Sequence, residues 1–411
     1  MGVKNNKFNI RSSWFDSYVS GKSKVYNTAQ LGNTLPASPA SATGGTKTTP
    51  GDGYIYHHFY ATVPGAPYTK TPNTSETLVT VDGVDGALVC DILIVGGGGA
   101  GGYDLNNSGG GGGGGAGAVY YATGVPLPAS TYPVTVGGGG QNSEVGSPTT
   151  DTPADAQGDD SVFNGVTAAG GGRGGRGAVS PIPIAAGITG GNGGGGGARF
   201  PGGPPYPGGG GIGGPSSGAG SHPGSSNVDA TSPPVGWGYD GAAGAIDDCN
   251  CGSGGGGGGI GGAPYAVVGT YNPGGSGGYS IGGHGGIGAK YTIDGATVNI
   301  GGGGMGGAYS AAGNQTTPTA HPFGGGIQDS RDWPAPMRIY PAPTVNIMFG
   351  GLDGSGGGGC GGSNNVNGPQ VISGAPDGPT PANDPWSPLS RAGNTASGRG
   401  GCGLVQIRYP V

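Results

Sequence analysis

Residues 87–102 read ALVCDILIVGGGGAGG, an apolar run of strand length that passes directly into glycine. Val, Ile and Leu fill most of its first nine positions, which suits a β-strand. The glycines that follow cannot start a helix, because Gly costs about 1 kcal/mol per helical position relative to Ala. The same two elements, short apolar runs and glycine tracts, organise the rest of the chain. GYIYHHFYATV (53–63), ETLVTVDG (76–83), AGAVYYATGV (116–125) and TYPVTVGGGG (131–140) are runs of strand length bounded by Gly, Pro or Asp. SVFNGVTAAGGG (161–172) offers one more. Such spacing predicts an antiparallel sheet or sandwich. The chain ends in GLVQIRYPV (403–411), where Leu404, Gln406 and Arg408 alternate with Val405, Ile407 and Tyr409. A lone strand is not stable by itself. It is expected to return and pair with the strands at 54–136, which makes the glycine-dominated middle a large insertion.

The 411 residues include 108 Gly and 36 Pro, about a third of the chain, against average usages of about 7% and 5%. Only 9% are charged, so disorder driven by charge repulsion does not explain the composition. Collagen is excluded, because glycine comes in runs without a strict Gly-X-Y repeat. The formal net charge of −6 leaves no electrostatic footprint for nucleic acid. No apolar stretch is long enough to span a membrane. The first 30 residues lack the apolar segment of a signal peptide. Five cysteines, Cys90, Cys249, Cys251, Cys360 and Cys402, are too few and odd in number for a disulfide framework, and fit reduced thiols better.

A glycine tract that is merely a linker is the simplest expectation, since ordering each residue costs roughly 1–2 kcal/mol. Three features favour order instead. In GGRGGRG (171–177), Arg173 and Arg176 stand three apart, and in SIGGHGGIGAK (280–290), Ile281, His284, Ile287 and Lys290 keep that spacing. A polyproline II helix has three residues per turn, so side chains at i and i+3 line one edge and leave two edges bare. Such a helix makes no internal hydrogen bonds, and its buried N–H and C=O groups need partners. Bare edges let neighbouring helices come close enough to supply them. Finally, tracts of similar length recur at 96–102, 109–115, 193–197, 208–214, 254–262, 301–307 and 356–362. Rods of about 20 Å joined by loops can stack as a bundle.

The expected architecture is therefore mostly β and irregular, with almost no α-helix. Residues 1–45 read as an attachment arm and linker, 46–136 as a β-rich, sandwich-like framework, 137–400 as a bundle of packed polyproline II helices with variable loops, and 401–411 as the closing strand.

Chemical motifs are sparse. Gly96-x-Gly98-x-x-Gly101 after a strand imitates a dinucleotide fingerprint, but YDLNNSGGGGGGG (103–115) cannot form the helix that would hold a pyrophosphate. GGRGGRG resembles a single RNA-binding element; two exposed structural arginines explain it better. The five His, at 57, 58, 222, 284 and 321, have no metal-ligand spacing. Asp151, Asp155, Asp159 and Asp160 form an acidic loop without calcium-loop spacing. No nucleophile–base pair emerges, so neither an enzyme nor a cofactor is expected. The segments between tracts carry aromatics beside Pro, Asp and Arg: PPVGWGYDG (233–241), QDSRDWPAPMRIYPAP (328–343) and ANDPWSPLSR (382–391). Rings on rigidly held loops give large contact area at low entropic cost. Trp237, Tyr239, Trp333, Tyr340 and Trp386 are the candidate receptor- or partner-binding residues.

ALVCDILIVGGGGAGG, the later GAVYYATGVPLPASTYPVTVGGGG (117–140) and the closing GRGGCGLVQIRYPV (398–411) resemble, in that order, the glycine-rich domain of bacteriophage virion proteins of the tail-fibre and adhesin type. The likeness covers roughly residues 54–411. In composition the chain also resembles the adhesins at the tips of T-even-like phage fibres, where glycine-rich helices form a sandwich and the loops meet the host receptor. The resemblance implies a virion component, made in the host cytoplasm and released by lysis. Its implied partners are other virion proteins and a host-surface glycan or protein, and self-association, for instance as a trimer, belongs to the same expectation. The alternative is a self-assembling subunit, a filament or capsid decoration protein, whose loops bind copies of itself.

Overall fold

The computed structural model describes residues 39–61, 72–83, 86–103, 110–141, 153–177, 186–198, 238–244, 254–261, 264, 282–293, 296–307, 309–310, 355–361, 364–365 and 397–411. Among them, two five-stranded antiparallel sheets pack face to face. The first has the order β1 (Ser41–Thr43), β4 (Thr74–Val81), β7 (Thr131–Val136), β8 (Ser161–Phe163) and β9 (Val166–Ala168). The second has the order β2 (Thr46–Thr48), β3 (Tyr54–Tyr60), β14 (Leu404–Pro410), β5 (Leu88–Val95) and β6 (Val119–Leu127). The period-two pattern turns Leu78, Val134, Val136 and Phe163 of the first sheet towards Phe59, Ile92, Ile94, Val405 and Ile407 of the second, in one apolar core. The C-terminal strand lies at the centre of its sheet: Ile407 pairs with His57 on one side and with Ile92 on the other. The β8–β9 hairpin turns through Asn164 (φ 49°) and Gly165 (φ 75°), the left-handed pair that an Asn-Gly hairpin requires. Among the described residues, helix is limited to one turn, α1 (Pro153–Ala156).

Strands and glycine tracts alternate along the chain. The tracts 96–103 and 110–118 lie inside the span expected as framework, while β8 and β9 lie beyond it, as do β10 (Ala289–Ile293) and β11 (Ala296–Ile300). β1 falls inside the expected arm, because SAT is too short and too polar to register as a strand pattern. The tracts 96–103, 110–118, 137–141, 156–160, 169–177 and 397–403 continue the sandwich strands beside them. Val95, Val119, Val136, Ser161, Ala168 and Leu404 stand at one end of the sandwich, and the tracts run out from that end.

The hydrogen bonds between tracts repeat every three residues. Gly112, Gly115 and Ala118 donate to Gly175, Gly172 and Ala169; Gly113 and Ala116 donate to Gly255 and Gly258; Gly114 and Gly117 donate to Gly359 and Gly356. The carbonyls follow the same rule. Those of Gly112, Gly115 and Ala118 accept from Gly102, Gly99 and Gly96, those of Gly110, Gly113 and Ala116 from Ala198, Gly195 and Asn192, and those of Gly111 and Gly114 from Gly307 and Gly304. The rod 110–118 thus bonds to six neighbours, with N···O distances of 2.7–3.0 Å. The rod 96–103 likewise bonds to 110–118, 137–141, 156–160, 169–177, 355–361 and 397–403. A three-residue repeat of bonds that leave the rod is the period of polyproline II.

This packing explains the sequence. A Cβ on Gly113 would fall on the carbonyl oxygen of Gly304, and one on Gly114 on that of Gly99. The α-hydrogens occupying those directions make Cα–H···O contacts instead. Rods surrounded on all sides hold only Gly and Ala between their end residues. Outer rods carry a side chain at every third position, as Arg173 and Arg176 do in 169–177 and His284 and Ile287 do in 282–288.

Two results test this lattice. Gly113→Ala is expected to cost about 3 kcal/mol or more, the upper range for overpacking where neither backbone can give way, and thermal unfolding measures it. Amides of residues 254–261 are expected to exchange as slowly as those of β5 and β14; rapid exchange there would mean the tracts are not packed.

Candidate functional site

The ends of the rods gather on the face opposite the sandwich. There Ala198 donates to Gly110, Gly307 to Gly111, Gly254 to Gly307, Gly361 to Met305, Gly398 to Cys360 and Gly177 to Tyr103. Segments 104–109 and 245–253 join rods that meet at this face, and the chain leaves it after Ala198, Gly307 and Gly361. Of the five candidate binding residues, Trp237, Trp333, Tyr340 and Trp386 lie outside the described residues. The segments that contain them, 199–237, 311–354 and 366–396, follow Ala198, β12 (Tyr309–Ser310) and β13 (Asn364–Asn365). β12 and β13 pair in parallel, just past the ends of rods 301–307 and 355–361.

Tyr239 is described, on the flank of the bundle. Its N–H donates to Asn192 Oδ1 at 3.0 Å, and its carbonyl accepts from Gly193 at 2.9 Å. The side chain is half-buried, and burial pushes the phenol up from its ordinary value. Asn192 is the anchor. Fully buried, it sends its Nδ2 to the carbonyls of Ala116 (3.2 Å) and Gly117 (3.3 Å), so one amide ties Tyr239 to the central rod. Its signal in the sequence was slight, one polar residue inside GGNGGGGG (190–197).

Arg173 and Arg176 correct the expectation of exposed arginines: they are only 5% and 7% exposed. The Arg176 guanidinium lies 4.4 Å over the Tyr103 ring, and Arg173 Nη1 donates to the Gly174 carbonyl at 3.1 Å. Aromatic contact and alkyl packing let an arginine sit this deep. The expected acidic loop is also partly built into the lattice. Asp159 supplies its carbonyl to Gly97 and Asp155 its carbonyl to Gln141, while Asp160 Oδ1 accepts from Gly170 at 2.8 Å. The amides of Gly96, Gly98 and Gly101, which mimic a nucleotide loop, donate to Ala118, Gly401 and Gly398.

At the other end of the sandwich, a cavity of about 330 Å³ is lined by Pro39, Ala40, Leu88, Val89, Arg408 and Val411, among others. On its wall Arg408 Nε donates to Asp91 Oδ2 at 2.9 Å and lies 4.8 Å over the Tyr54 ring. Residues 1–38 therefore join the structure at the end away from the rod tips. No helix among the described residues is long and apolar enough to cross a membrane.

The profile of a family described as a glycine-rich domain matches residues 73–319. No curated protein matches the sequence.

Cys90 and Cys360 are buried thiols, both pushed up to about 12 by burial. The thiolate is the reactive form. At pH 8 both are expected to alkylate about a thousandfold more slowly than ordinary thiols and to react fully after denaturation, as peptide mass spectrometry would show.

Proposed function

We propose, from the premise that this chain belongs to the glycine-rich domain family, that it is a phage virion protein of the tail-fibre or receptor-binding type. It works as a non-enzymatic scaffold that presents variable segments to a host-surface glycan or protein. The observation that supports this most is polarity. The segments bearing Trp333 and Trp386 follow the rod tips, while residues 1–38 join at the opposite end of the sandwich. A receptor-binding protein needs that division between attachment and display. The lattice holds the starting points of those segments through backbone bonds alone, so their sequences can change without disturbing it. The resemblance of the strand motifs to phage glycine-rich domains supports the virion setting.

Deleting residues 328–343 or 380–392 tests the reading. Each variant is expected to unfold at a temperature close to that of the parent protein, to assemble into virions, and to lose adsorption to host cells. Intact adsorption with failed assembly would overturn the adhesin reading in favour of a self-assembling subunit whose segments bind its own copies.

A further inference from the structure

The polar centre of the sandwich core lies at its edge, where residues 41–48 cross from one sheet to the other. β1 pairs with β4 at the edge of the first sheet, and β2 pairs with β3 at the edge of the second. Between them the chain turns through Gly44 (φ 124°) and Gly45 (φ 57°), a conformation suited to glycine. With three residues in each strand, this strap has few ladder bonds of its own. His57 of β3, fully buried, lies against it.

The hydrogen bonds around His57 fix its protonation. Nδ1 lies 2.7 Å from the Gly44 carbonyl oxygen, which can only accept, so Nδ1 carries a proton. Nε2 lies 3.3 Å from the Tyr409 hydroxyl, and the two rings stack at 5.8 Å. The same hydroxyl oxygen accepts from the Ala42 N–H at 3.1 Å. With a neutral imidazole the chain closes: Ala42 N–H donates to the Tyr409 oxygen, the Tyr409 O–H donates to Nε2, and Nδ1–H donates to Gly44. Both ends of that chain are backbone groups of the strap.

A second proton, on Nε2, reverses the middle bond. The Tyr409 hydroxyl proton then loses its acceptor, and a cation stands in the core. Among the described residues, the titratable or charged groups that bear on His57 are Lys47 on β2, His58 on β3 and Tyr409 on β14. None of these is an acid able to neutralise an imidazolium, and β1 contributes no charge.

We infer that His57 is an acid-sensitive latch that holds the β1–β2 strap, and with it the entry of the N-terminal segment, across the edge of the sandwich. Burial holds the closed-state imidazole below its ordinary 6.5, against the opposing bond to Gly44 and with help from Lys47 and His58. The sign follows. An open strap returns the imidazole to water and its ordinary value, so the open form binds the proton first. Closure is complete in strength above about pH 6.5 and weakens as pH falls from there towards the depressed closed-state value.

Hydrogen exchange on the full chain between pH 8 and pH 5 tests this, with β5 and β14 as internal references. After correction for intrinsic rates, amides of residues 41–48 are expected to exchange up to tenfold faster per pH unit below about 6.5, the slope for one proton, while the references stay unchanged. His57→Gln, which keeps a donor for Gly44 and does not titrate, is expected to abolish the slope. A strap with flat exchange, or a His57→Gln variant that responds like the parent, would overturn the latch. If that variant does not fold, NMR titration of His57 in the parent chain decides: a midpoint below 6.5 supports the latch, and one at or above it overturns it.

Discussion

Everything in this molecule depends on backbone N–H groups that point out of their own segment. In a helix or a hairpin, the hydrogen bond that orders a residue is local or shared with one neighbouring strand. In the rod 110–118, successive amides donate in three directions, to 169–177, 254–261 and 355–361. Ordering each residue costs roughly 1–2 kcal/mol, and a net hydrogen bond contributes about 0.5–1.5 kcal/mol. Those magnitudes nearly offset each other, so no rod can be stable alone. The surplus has to come from close contact on all sides at once, which makes the bundle cooperative. It also sets the demand for glycine, because a Cβ at positions such as Gly113 would sit on a carbonyl oxygen of the adjacent rod.

The sandwich supplies what the rods lack, fixed starting points. Strands within a sheet lie 4.7–4.9 Å apart, and tracts that continue them leave already side by side. Ser161 secures the junction. Its hydroxyl accepts from Gly137 at 2.9 Å and donates to the Val95 carbonyl at 2.7 Å, joining the two sheets where the rods begin. The outer face of the second sheet is sealed at the same level by Leu93, Val95, Val119 and Leu404, packed with Ile260 of the bundle and Ile300 at the end of β11. β5 is therefore buried on both faces over its last four residues, as the unbroken apolar run ILIV announces.

Several of these features are legible in the sequence for physical reasons. Apolar and aromatic runs of strand length mark β3, β5 and β14, because each is buried over most of its length. The spacing of Arg173 and Arg176 shows a three-residue period, because a rod with two packed edges has one direction left for side chains. Other features leave no such trace. The strap strands β1 and β2 are three residues each, below the length at which alternation can be seen. The depth of Arg176 depends on Tyr103, some seventy residues earlier in the chain. Asn192 is a single polar residue whose three partners, Ala116, Gly117 and Tyr239, are set by the lattice and not by its neighbours in sequence.

The lattice also decides where specificity can reside. Its contacts read backbone and exclude side chains, so it accepts any sequence between rods and rewards none. On the proposed reading, recognition chemistry comes from positions the lattice does not reach: the outward third position of outer rods, and the segments between rods. The outer positions seen here are largely committed. Arg173 and Arg176 are buried in the bundle, Cys360 and Cys402 are buried within it, and His284 and Ile287 are half-buried. That leaves the intervening segments, where three of the four tryptophans fall, Trp237, Trp333 and Trp386. A scaffold indifferent to the chemistry of its own loops suits a protein whose binding surface has to change while its fold stays fixed.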